Sequence, residues 1–272
     1  MKLLHSRYEI LPQSPGIDGA YRQIEKAGRT CYKSENKIGD GTDVKFFNML
    51  VDRGHTAMLE HGTVYLYDRV SPVSVSGLDK YRNDKYSDYV SVMSDDALEV
   101  FVTTNMRVIV ENHWAMDLTQ YLCDEPMPEH KRRYTVKFIC DRATANEMVR
   151  HRAFSFAQES TRYCNYSKDK FGSELCFIYP AGYDAWKDNC KLTFVDSCRC
   201  AEQYYLNLTG CGLQAQDARA VLPLSLKTEI VLTGNTDAWK HFFGLRCSSN
   251  AHPDIKYLAD RLKEEFEERK FI

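Results

Sequence analysis

The sequence is 272 residues long and has no run of eighteen apolar residues, so no membrane-spanning helix is expected. Its first residues, Met1-Lys2-Leu3-Leu4-His5-Ser6-Arg7, lack the apolar stretch of a secretory signal, and a cytoplasmic location is expected. No excess of one charge is present. The net charge is −2, which argues against a general affinity for nucleic acid. No Cys-x-x-Cys pair and no His-Glu-x-x-His helix occur, and His55 and His61 stand too far out of phase to share a helical face, so no metal site is expected. Gly39-Asp40-Gly41 lacks the third glycine of a dinucleotide fingerprint, and there is no P-loop. Any bound phosphate must therefore be held by something other than a familiar glycine loop.

What is present fits an ordinary globular protein. The length suits one large domain or two small ones, and can bury a core without disulfide or metal support. Apolar residues make up 43% and charged residues 27%, both usual for such a domain. Ten cysteines without a secretory signal read as reduced, mostly buried thiols. Periodicity predicts helices over 18–28, over 43–53 with Gly54 as the stop, over 142–152, 192–208 and 214–221, from Asn235 to about 245, and from Pro253 onward. Strands are expected at 63–67, 100–102, 106–110, 134–138 and 224–232, with a short helical piece near 113–122. The fold class is thus mixed α/β, with sheet order unreadable.

Between Glu147 and Tyr163 the chain concentrates groups suited to phosphate. Arg150, Arg152 and Arg162 each offer a planar guanidinium fork, and Gln158, Ser160 and Thr161 add neutral donors. Turn-like backbone between the helix end and Arg162 would add N–H groups. Three guanidiniums this close repel one another unless they meet anions. Alone, Arg150-His151-Arg152 reads first as basic residues serving the dipole of a helix C-terminus, and it is the whole run through Tyr163 that favours a phosphate site.

Arg150-His151-Arg152, seven intervening residues, then Ser160, with Ser155, Arg162 and Tyr163, resembles the signature of the flavin-dependent thymidylate synthases. Three further blocks are similar to that family and follow in its order: Gly54-His55 with Glu60-His61, Ala218-Arg219 with Leu222-Pro223-Leu224, and Asn235 with His241 and Leu245-Arg246. The sequence departs at Ala57, where many members have a hydroxyl, and at Asp237, where some carry arginine.

The resemblance implies a thymidylate synthase-complementing-like fold, a mixed or antiparallel sheet flanked by helices. It implies a single domain over 1–272 with an extended insertion at about 69–132. It implies methylation of dUMP at C5 to dTMP, with methylenetetrahydrofolate as carbon donor and FAD, reduced by NADPH, as hydride source. The implied FAD contacts are His55, Arg150, His151, Arg152, Gln158, Asn235, Asp237 and His241. The implied dUMP contacts are Glu147, Arg150, Gln158, Glu159, Ser160, Thr161, Arg162 and Arg219, with Arg162 and Arg219 on the phosphate. Arg246 is the implied catalytic group, at the pyrimidine, where a guanidinium stabilises developing negative charge. Ser160 has no evident base beside it, and Cys164 and Cys247 lie outside the matched pattern, so no covalent nucleophile is expected. A homotetramer with sites shared between chains is also implied. The alternative is a catalytically silent nucleotide- or flavin-binding protein of the same fold, which the presence of Arg246 argues against.

Overall fold

The computed structural model describes residues 1–168 and 174–272. In chain order the elements are β1 (Lys2–Leu4), β2 (Arg7–Ile10), α1 (Gly16–Tyr32), α2 (Thr42–Asp52), β3 (Thr63–Val70), β4 (Asp88–Met93), β5 (Leu98–Asn105), α3 (Met106–Glu111), α4 (Asp117–Gln120), β6 (Leu122–Cys123), β7 (Arg133–Asp141), α5 (Arg142–Met148), β8 (Ser155–Gln158), β9 (Cys176–Ile178), α6 (Asp188–Gly210), α7 (Ala215–Ala218), β10 (Lys227–Asn235), α8 (Thr236–Arg246) and α9 (Pro253–Glu268). Short 3₁₀ turns link several of them.

Two four-stranded sheets organise the chain. The first has the order β2-β7-β10-β8 and the second β4-β5-β3-β6, and all pairings within them are antiparallel. A separate two-stranded ribbon pairs β1 with β9 in parallel. The expected mixed α/β architecture with antiparallel sheets and flanking helices is what the chain adopts. No helix among the described residues is long and apolar enough to cross a membrane.

Side-chain alternation along β10 explains how the first sheet is covered. Ile230 and Leu232 face one way, into a core with Phe138, Met148, Trp239, Phe242, Leu258 and Phe266, so α5, α8 and α9 lie on that face. Val231 faces the other way with Ala157 and meets Ala27 of α1. The same helix turns Ala20 and Ile24 toward the second sheet, where they pack with Leu50, Val64, Leu66, Val100 and Val102. One helix thus lies between the two sheets and fixes their relation. The region 69–132 supplies β4, β5, α3, α4 and β6, and these build onto β3.

Several boundaries differ from the sequence expectation. Residues 106–110, expected as a strand from their β-branched run, form α3, because the Asn105 side chain accepts from the N–H groups of Arg107 and Val108 and turns the chain into a helix. The expected strand over 224–232 starts only at Lys227, since the Leu224 and Leu226 carbonyls are taken by the Arg142 N–H. The helix expected to reach 152 stops at Met148, and the expected turn before Arg162 contains strand β8, paired with β10. Three expectations hold. The Asn235 side chain caps α8 by accepting from Ala238 N–H, Gly54 follows α2 with φ +66°, and Pro253 opens α9.

Candidate functional site

The chain leaves β7 through Asp141, whose carboxylate caps α5 by accepting from Thr144 N–H and O–H. After α5 it drops into a turn in which Phe154 N–H donates to the His151 carbonyl. Phe154 is buried, and its ring occupies the space where a Cβ on Gly234 would sit, 2.6 Å away. Glycine at 234 in β10 therefore lets this turn settle on the sheet. The result buries His151 and leaves Arg150 and Arg152 exposed.

His151 meets Arg246, the last residue of α8. Arg246 Nε donates to His151 Nε2 at 2.8 Å, Nη1 donates to a Glu147 carboxylate oxygen, and Nη2 donates to the Glu147 carbonyl at 3.0 Å. A nitrogen that accepts carries no proton, so the imidazole is neutral with its hydrogen on Nδ1. Burial, then the Arg246 and His241 charges, lower the His151 pKa to about 4. Glu147 and His151 are four residues apart, and Arg246 comes from far along the chain to join them in one clamp that holds the guanidinium in place.

Around this clamp opens a cleft of about 500 Å³ lined by Arg150, His151, Arg152, Asn235, Asp237, His241 and Arg246. Seven residues expected at a flavin or pyrimidine are thereby brought together. No carboxylate pairs with Arg150 or Arg152 among the described residues, whereas Asp237 is paired with Lys131 at 2.6 Å. The Asn235 amide is also engaged. Its oxygen caps α8, and its nitrogen donates to Asp88 Oδ2 at 3.0 Å. Two unpaired guanidiniums beside an apolar floor of Phe154 and Leu245 suit a ligand with a flat ring and phosphates. The residues present thus fit a flavin nucleotide. His55 is exposed, precedes the 3₁₀ turn Thr56–His61, and does not line this cleft.

The remaining expected residues gather at the other end of β8. Gln158 pairs with Ile230, on the α5 and α8 face, and its amide donates to Thr228 Oγ1 at 3.3 Å. Glu159 points to the opposite face and is buried. It accepts from Tyr166 O–H at 2.8 Å and pairs with Lys227 at 2.8 Å. Lys227 continues to Glu229 at 2.6 Å, and Glu229 also meets Lys33 and Lys137. Burial alone would raise the Glu229 carboxyl, but the ammonium groups of Lys227, Lys33 and Lys137 together hold it well below the ordinary range. Sequence reasoning missed this network. The only hint was Lys227 and Glu229 two apart on a strand, which places both on one face.

The network anchors the backbone that follows. Ser160 N–H donates to the Cys31 carbonyl at the end of α1, and the exposed Arg219 donates to Thr161 Oγ1 at 3.2 Å. Arg162 is exposed and lies over the Tyr163 ring. Ser160 Oγ accepts from Arg162 N–H and has no base beside it among its described bonds. Cys247 is no better a nucleophile, since burial and Asp260 push its thiol up to about 11. No group of three metal-ligating side chains occurs among the described residues.

Two groups therefore stand apart: the clamp and cleft at Arg150–Arg152 and α8, and the Ser160–Arg162 segment with Arg219. No hydrogen bond or ion pair joins them among the described residues.

The family model described as thymidylate synthase complementing protein matches residues 126–269, just over half of the chain. That span contains every residue named in both groups. A flavin-dependent thymidylate synthase of Geobacter sulfurreducens is 35% identical over 118 residues, covering 43% of this chain and 49% of that protein. The chain thus spans about half the length of that relative. One from Mycobacterium avium is 24% identical over 265 residues, covering 92% of this chain and 76% of that protein. A crystal structure of the UMP/dUMP methylase PolB from Streptomyces cacaoi bound with 5-Br UMP is 16% identical, with a TM-score of 0.47, covering 98% and 92% of the two chains.

Proposed function

The chain belongs to the thymidylate synthase complementing protein family, and from that premise we propose that it methylates dUMP at C5 to give dTMP. Methylenetetrahydrofolate is the carbon donor, and FAD reduced by NADPH provides the hydride. The observation that carries the reading is the Glu147–His151–Arg246 clamp, set at the wall of a cleft with two unpaired guanidiniums. We take residues 1–272 as one cytoplasmic catalytic domain, with 69–132 as its extended insertion.

When bound, the flavin supplies the redox chemistry. The protein's own groups supply placement and charge. Arg150 and Arg152 hold the cofactor's phosphates, with His151, Asn235, Asp237 and His241 along the same cleft and His55 approaching from outside it. Arg246 faces the pyrimidine. It stabilises negative charge on the ring oxygen or N3 as C5 becomes nucleophilic, and Glu147 and neutral His151 fix its orientation. Arg162 and Arg219 hold the nucleotide phosphate, with Ser160 and Thr161 beside them and Gln158 at the ring side. Glu159 acts from beneath, by anchoring this segment through Lys227.

The separation of the two groups supports a homotetrameric arrangement in which one chain's Arg246 meets another chain's Arg162 and Arg219. Mixing Arg150→Ala chains with Arg219→Ala chains tests this. Activity should return in the mixture, and a mixture as inactive as its parents sinks the shared site. The reaction itself is tested with 5-tritiated dUMP. The purified protein should bind FAD, lose its yellow colour with NADPH, and release tritium. A protein that takes up no FAD defeats the proposal.

A further inference from the structure

The cleft does not end at Arg152. A second compartment of about 270 Å³ continues from it, sharing Arg152, Ala153, Phe154 and Asn235. Its outer wall is the turn Lys85–Asp88, which leads into β4 of the second sheet, and its floor includes Arg133 and Glu60. Lys85 and Tyr86 lie outside the span that the family model matches, and Arg133 lies just inside it.

The charges in this compartment are unbalanced. Lys85, Arg133 and Arg152 have no carboxylate within ion-pair distance among the described residues. The two acids lining it are engaged elsewhere: Glu60 with Arg107 at 2.5 Å, and Asp88 with Lys131 at 3.3 Å and the Asn235 amide. Arg133 is half-buried, and among the described residues its guanidinium donates to the Glu60 carbonyl at 3.1 Å and to Thr63 Oγ1 at 3.5 Å. A guanidinium so placed without an anion is costly unless a ligand supplies one. Lys85 is exposed beside Tyr86, and its ammonium is 4.7 Å from that ring. Asp88 ties the turn to Asn235 at the start of α8, so the second sheet is fixed against the cleft.

We propose that this compartment binds the diphosphate of the flavin dinucleotide, with Lys85 and Arg133 joining Arg152, and with the Asp88–Asn235 bond holding the inserted sheet in place. Three cations around one small cavity match a diphosphate, which offers several acceptor oxygens and two negative charges. The inserted region thereby acts as a cofactor-binding wall. This inference rests on the flavin reading above.

The test is binding, measured on the full chain by quenching of flavin fluorescence, with FAD and riboflavin as the two ligands. Lys85→Glu reverses an exposed charge and should leave the melting temperature unchanged. It should weaken FAD at least tenfold and leave riboflavin, which has no phosphate, within twofold. Arg133→Lys keeps the charge but loses the fork, and should weaken FAD less. If the unaltered chain binds FAD and Lys85→Glu binds it equally well, the compartment is overturned while the flavin reading stands. An unaltered chain that binds no FAD overturns both.

Discussion

The two sheets use the same device to opposite ends. In the first, β10 ends at Asn235, whose side chain caps α8. In the second, β5 ends at Asn105, whose side chain caps α3. Each strand runs straight into its helix with no loop between. The helix after Asn105 carries Arg107, which is neutralised by Glu60 and Glu111. The helix after Asn235 borders a cleft where Arg150 and Arg152 have no counter-ion among the described residues. Its last residue, Arg246, is held by both Glu147 and His151. The strand-to-helix turn is therefore general scaffold. What marks the site is the pair Arg150 and Arg152, left unneutralised beside an open cavity, because a ligand's anion would supply the counter-charge they lack.

The largest effect that would break this contrast is at Arg246. Arg246→Ala should lower dTMP formation by about 10²–10³-fold, as removal of one charge-stabilising donor does, while FAD remains bound. Its opposite number beside the second sheet is Lys80, in the 3₁₀ turn Asp79–Asn83, which pairs at 2.8 Å with the buried Asp117 at the start of α4. Lys80→Ala should cost roughly 1–3 kcal/mol of stability, by leaving the buried Asp117 carboxylate with the Tyr81 hydroxyl but without its cation, and should leave turnover within twofold. Steady-state kinetics and urea unfolding on both variants decide the matter. Equal loss of turnover in the two would dissolve the distinction.

A smaller effect follows from pH. His151 has a folded pKa of about 4, against an ordinary value of 6.5, so the unfolded chain takes up its proton first. Stability is complete above pH 6.5 and falls as pH drops toward 4, by on the order of 2–3 kcal/mol for this residue. His61, buried against Thr233 with its pKa lowered to about 3, adds in the same direction. Urea midpoints between pH 7 and 5 should decline, and His151→Gln should flatten the decline. An unchanged slope in that variant would acquit His151.

The smallest effect separates the two caps. Asn105→Ala and Asn235→Ala should each cost about 1 kcal/mol in unfolding free energy. Only Asn235→Ala should also weaken FAD, because only that amide reaches both α8 and Asp88. Parallel behaviour of the two in flavin titrations would show the Asp88 contact to be incidental.

Much of the scaffold could be read from the residues in order. The helix capped by Asn235, the stop at Gly54 and the start at Pro253 are local events, set by side chains within four positions of the backbone they satisfy. The span 106–110 was misread for a related reason: β-branched side chains favour a strand, and one capping amide outweighed them. The run from Arg150 to Arg162 stood out as a charge pattern, but its division by β8 did not. Pairing with β10 depends on a strand seventy residues away.

By itself, the sequence determined the family resemblance, the mixed α/β class and the set of residues proposed for the site. Residue type and spacing are enough for these, since periodicity and capping act over a few positions. Only the tertiary structure decided which of those residues meet. It joined Glu147 and His151 to Arg246, turned Glu159 inward onto Lys227, left His55 outside the cleft, and brought Asp88 of the inserted region to Asn235. The physical reason is that hydrogen bonds and ion pairs require contact within about 3 Å, and only the packing of helices on the two faces of the first sheet, α5 and α8 on one and α1 on the other, brings groups so distant in sequence that close.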